Sequence, residues 1–208
     1  MVKEFTHLNF EEYITVKHGY MMCPEPHEKY RIMTDLHRRA RNVINFAWNI
    51  EKKSEAEFSE GYFRAALCEF FAIEDYLETS YPERYKGVWF NEHRDSDPIL
   101  HMLHLLRNYN IHISSSEMST KQMLVTTEFL QPAKKHFNIT VNYVSNLTID
   151  GFSKVRAARC YTQSLERMIT VFEEQQHTFG LGVLLIECVL QNLLKLDSLL
   201  DAPDFRPL

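Results

Sequence analysis

Between Asp97 and Ser116 the chain reads DPILHMLHLLRNYNIHISSS, and five of its side chains belong to types that move protons or hold phosphates: His101, His104, Arg107, Asn108 and His112. On a helix, at about 100° per residue, His101, His104, Asn108 and His112 share an arc of roughly 80°. Ile99, Leu103 and Leu106 fall on the opposite side. Arg107 points about 100° away from Asn108, with a side chain long enough to bend back. A histidine of ordinary pKa gives and takes protons at neutral pH. A guanidinium grips phosphate oxygens through two hydrogen bonds and keeps its charge. An asparagine orients a neighbour without titrating.

Two plainer readings stand beside this one. A histidine next to a core is commonly a satisfied structural side chain. Four polar groups on one stripe, each costing about 1 to 3 kcal/mol if buried without a partner, are easier to understand on a face that lines a cleft or an interface. The other reading is a metal site, because His101 and His104 at i, i+3 can reach one ion. His112 lies about 12 Å along the axis from His104, too far to share that ion. The chain holds no H-E-x-x-H and no cysteine pair to assist.

The segment RNYNIH, residues 107 to 112, resembles the R-N-x-x-x-H form of the HEPN superfamily motif. The resemblance rests on these six residues and on the helical character of the chain. It implies a helical bundle and a metal-independent endoribonuclease without a cofactor, of the kind found in toxin, abortive-infection and CRISPR-associated systems. Arg107, Asn108 and His112 match the motif by position and are the implied catalytic residues. In such chemistry the 2′-OH of RNA is the nucleophile: His112 transfers protons, Arg107 steadies the phosphorane, and Asn108 orients. One motif supplies one histidine for two proton transfers, so the resemblance also implies a homodimer with a composite site and a two-fold interface. An antitoxin or regulatory protein is a further implied partner. His101 and His104 would line the same cleft.

A basic face, His37, Arg38, Arg39 and Arg41, is a candidate contact for the RNA backbone, although a solvated face is the plainer explanation. Glu69, Glu74 and Asp75 are candidate partners of Arg107 in the absence of substrate, and a plain solvent-facing acidic stripe explains them as well.

The elements that must position these residues follow from hydrophobic periodicity. Helices are predicted over residues 27 to 53, 60 to 79 and 98 to 113, the last begun by Asp97 as N-cap and Pro98 at the first helical position. Residues 83 to 97 read as a loop. KQMLVTTEFL (121 to 130) and NITVNYVSNLTI (138 to 149) are rich in β-branched and aromatic residues and predict two strands. IDGF (149 to 152) reads as a break. Helices return over 153 to 176 and 178 to 200, with Gly180 and Gly182 at their joint. The expected fold class is mainly α, one domain over residues 1 to 208. It is a bundle of about five helices with a β-hairpin-like insertion at about 120 to 149, between the third and fourth. That insertion departs from a minimal HEPN bundle.

The composition is that of a globular protein: 45% hydrophobic, 25% charged, with 6 glycines and 7 prolines in 208 residues. A net charge of −5 leaves any nucleic-acid contact to a local basic patch. Four separated cysteines without a C-x-x-C pattern suggest a reducing compartment. The first residues lack the apolar run of a signal peptide, and the most apolar stretch, 179 to 200, is broken by Glu187, Gln191, Asn192 and Lys195. A cytoplasmic protein without a membrane span is expected.

Overall fold

The computed structural model describes residues 8–52, 56–82, 96–127, 135–156, 158 and 162–200. The expected helix 27 to 53 is divided. His27 accepts the backbone N–H of Lys29 on its ring nitrogen, at 3.2 Å, and starts a 3-10 turn over Glu28–Ile32. Met33 leaves helical geometry, at φ −104° and ψ 79°, before α1 spans Thr34–Lys52. Apolar residues at helical spacing (Leu36, Ala40, Val43, Ile44, Ala47, Ile50) bury one face of α1. Helix α2 spans Ala56–Ser80, one turn longer at its start than the periodicity indicated. Helix α3 spans Pro98–His112 as expected. Of the expected loop at 83 to 97, residues 83 to 95 lie outside the described residues.

Strands β1 (Met118–Thr127) and β2 (Lys135–Val144) form an antiparallel hairpin with Met118 opposite Val144 and Thr127 opposite Lys135. Both begin three residues before the β-branched runs do. Pairing in register, rather than propensity alone, decides where a strand starts. The far end of the hairpin is exposed, as Leu124 and Phe137 show, while Val141 and Val144 are buried where β2 meets the helices.

The helix expected over 153 to 176 starts later. Ile149–Ser153, read as a break, forms the short helix α4, begun by Thr148, whose hydroxyl accepts the N–H of Gly151 at 3.1 Å. Residues 154 to 156 are not helical, and α5 spans Thr162–Phe179. Helix α6 spans Leu181–Leu200. The joint is Gly180, whose φ of +99° is open to glycine and strained for other residues. Through it α5 and α6 meet at 106°. Gly182 is not part of the turn. It lets the start of α6 approach α1 so closely that a Cβ there would collide with the carbonyl oxygen of Ala47.

Helix α1 packs along α2 and α6, while α3 packs on α5 and α2. Phe63, Phe70, Leu103, Phe172 and Leu184 lie in the shared core. Among the described residues the molecule is therefore mainly helical, with one two-stranded hairpin between α3 and α4. No single helix among them is long and apolar enough to cross a membrane.

Candidate active site at the end of helix α3

Asp97 anchors the helix that carries the motif. One carboxylate oxygen accepts the N–H groups of Ile99 (2.9 Å) and Leu100 (3.2 Å), and the other accepts that of Ile14 at 3.0 Å. Burial pushes this carboxyl upward, against the pull of Lys195 and the backbone donors. The N-cap satisfies the helix start, and its second oxygen ties the N-terminal segment to it.

From Pro98 to Leu106 every residue but His104 is buried. The polar stripe is thus divided. His101 is 4% exposed and sits inside the bundle, so the expectation that it lines a cleft is corrected: α3 is central, and its neighbours cover the N-terminal half of the polar arc. His104 is half-buried, with its ring edge-on to Phe71 at 5.2 Å and 88°, so it packs against α2 instead of opening towards solvent. The pattern along the helix could not show what packs over the arc.

Beyond Leu106 the helix emerges. Arg107, Asn108, Tyr109 and Asn110 are half-buried; Ile111, His112 and Ile113 are exposed. Arg107 lines a cavity of about 280 Å³ between α2 and α3, together with Arg64, Leu67, Cys68, Asn110 and Ile111. Its Nε is buried without a hydrogen-bond partner. Among the described residues the side chains of Arg107, Asn108 and His112 make no hydrogen bond or ion pair. Asn108 and His112, four apart, share one face of the last turns, and Arg107 faces α2.

Asn110, which the motif pattern passes over, is the structural member of the segment. Its amide donates to the carbonyl of Leu106 (2.8 Å) and to Ser116 Oγ (2.9 Å), and its oxygen accepts the N–H of Ser116 at 2.8 Å. These bonds turn the chain from α3 towards β1. An asparagine in a last helical turn before a serine run is a signal for such a turn.

The arginines of α1 each lie beside a carboxylate. Arg38 pairs with Asp35, Arg39 with Glu69 at 3.3 Å, and Arg41 with Glu25 at 3.3 Å, while His37 is half-buried. None of the proposed acids of α2 pairs with Arg107: Glu69 is taken by Arg39, Glu74 is buried, and Asp75 is exposed. No group of three or more His, Cys, Asp or Glu side chains among the described residues is placed to hold a metal ion.

A second concavity, of about 230 Å³ and largely apolar, lies where Tyr20, Trp48, Glu51, Ile139, Phe179 and Ile186 meet. Glu51 there accepts the N–H of Gly182 at 2.8 Å and that of Asn142 at 2.9 Å, joining α1 to α6 and to β2. Burial pushes its carboxyl up to about 7, the backbone donors opposing. The Tyr20 hydroxyl donates to Glu187, and burial together with that carboxylate raises it above the usual phenol range. The sequence signal for Glu51 is its place in the last turn of α1. An acid is disfavoured there by the helix dipole unless it serves another element.

No family model matches this chain, and no match is found among curated proteins or solved structures.

Proposed function

We propose that the chain is a metal-independent endoribonuclease acting through Arg107, Asn108 and His112. The observation that carries this reading is the division of labour on α3. Asp97 and Asn110 use their polar atoms to build the helix ends. Arg107, Asn108 and His112 emerge from the bundle with their side-chain polar groups uncommitted among the described residues. The imidazole takes the 2′-OH proton or protonates the leaving 5′-oxygen, the guanidinium meets the charge that grows on the phosphorane, and the amide holds one of them in place. The setting is a cytoplasmic defence or toxin system, with RNA as substrate and an antitoxin or regulator as a further partner.

The site is completed by a second copy of the chain. Ile111 and Ile113, 48% and 39% exposed on either side of His112, give the motif an apolar rim suited to such a contact. Pairing brings a second histidine for the second proton transfer. The test is to incubate the protein with RNA in EDTA and examine product ends. Fragments ending in 2′,3′-cyclic phosphate support the reading, and 3′-hydroxyl ends oppose it.

A second reading, a non-catalytic helical interaction protein that binds a partner or a nucleotide, draws on one observation. Arg107 and His112 lie about 140° apart around the helix, so a single chain does not present them side by side. No RNA cleavage by a folded, verified dimer would favour it.

A further inference from the structure

Among the described residues, the cavity between α2 and α3 is lined by two arginines and by no acid. Arg64, on α2, pairs with Glu60 one turn back at 3.3 Å, and its side chain is 51% exposed. An i, i+4 pair this exposed contributes little and is easily exchanged for another anion. Arg107, on α3, lines the cavity with its Nε buried against the protein, and its other guanidinium nitrogens hold no hydrogen bond among the described residues. Those nitrogens are the ones an arriving anion's oxygens can fill. Leu67 and Ile111 supply apolar walls that lower the local dielectric and strengthen any charge contact inside. Asn110 is engaged with Leu106 and Ser116, so it is part of the wall.

We propose that this cavity is a phosphate subsite whose two cations are Arg64 and Arg107. It rests on the reading of Arg107 as a residue that meets RNA phosphate. It adds a residue from another helix, outside the R-N-x-x-x-H pattern. The volume of about 280 Å³ falls just below the usual range for small-molecule sites, so the subsite takes one phosphate with its adjoining sugar and not a whole nucleotide. Arg64 is a substrate-binding residue, and Glu60 holds it in readiness while competing with the phosphate for it.

Cys68, exposed and on the lining, reports occupancy. The intact chain is treated with N-ethylmaleimide across a titration of inorganic phosphate at constant ionic strength, and alkylation is followed by mass spectrometry. Phosphate slows the modification of Cys68 and leaves that of Cys23, which is not part of the lining, unchanged. Arg64→Gln raises the half-protecting phosphate concentration by about tenfold or more, as expected for the loss of a charged hydrogen-bond donor. Glu60→Gln, which removes the competitor, lowers it. Alkylation of Cys68 that ignores phosphate overturns the subsite, as does a midpoint that neither variant moves. Protection without RNA cleavage keeps the subsite and removes the cleavage reading. Cleavage that needs Arg107, in a protein whose Cys68 phosphate does not protect, does the opposite.

Discussion

Asn110 holds Ser116 by two hydrogen bonds, its oxygen accepting the backbone N–H at 2.8 Å and its amide donating to the hydroxyl at 2.9 Å. Two residues earlier Asn108 makes no comparable bond among the described residues. The two asparagines of RNYN therefore have different consequences. Asn110→Ala leaves the buried Ser116 unpaired and lowers stability by about 1 to 3 kcal/mol, whereas Asn108→Ala stays within about 0.5 kcal/mol. Urea denaturation of the two variants measures the difference.

The histidines separate in the same way. His101→Ala opens a cavity in the bundle and removes buried polar atoms, so its melting temperature falls well below that of the wild type. His112→Ala, on an exposed turn, melts with the wild type. Thermal unfolding of both compares the buried and the exposed half of the stripe.

Glu51 gives stability a pH dependence of definite sign. Its carboxyl stands at about 7 in the fold against 4.5 as the reference value, so between these pH values the folded chain binds more protons than the unfolded one. The contribution is present below pH 4.5, falls as pH rises through the window, and is lost above 7. The loss is about 3 kcal/mol over the whole window. Glu51→Gln removes the titration, so its stability declines less than the wild type's across that window. Parallel curves for the two proteins would show that the carboxyl is not the titrating group.

Gly182→Ala drives a methyl group into the Ala47 carbonyl where α6 meets α1. A loss of about 1 to 3 kcal/mol is expected, the usual range for overpacking. Gly61→Ala, at a position with open space around it, is the control and leaves stability nearly unchanged or slightly raised. Denaturation midpoints compare them.

The parts of the fold that could be read from sequence are those fixed by local chemistry. Asp97-Pro98 marks the start of α3 because a carboxylate and a ring that lacks an N–H suit those positions in any helix. Gly180 marks the joint before α6 because its φ of +99° favours glycine. Arg107, Asn108 and His112 lie in the last turns of α3, the first two half-buried and His112 exposed. What was not legible lies in local breaks and caps that periodicity does not show, and in distant partners. Met33 ends one helical turn and Thr34 starts another within a continuous apolar period. Ile149–Ser153 becomes a helix through the hydroxyl of Thr148. His101 is covered because α3 runs through the centre of the bundle, and Arg39 and Arg41 lie beside Glu69 and Glu25, far from them in sequence.

The most direct test of the central claim is the rate of RNA cleavage by wild type and His112→Ala, purified in parallel, in EDTA, with folding verified on the same samples. The wild type is expected to cleave, and the variant to be slower by about 10² to 10⁴, the usual worth of a proton-transfer group, while melting at the same temperature. Equal cleavage by the two folded proteins would contradict the assignment of His112, and with it the site at the end of α3.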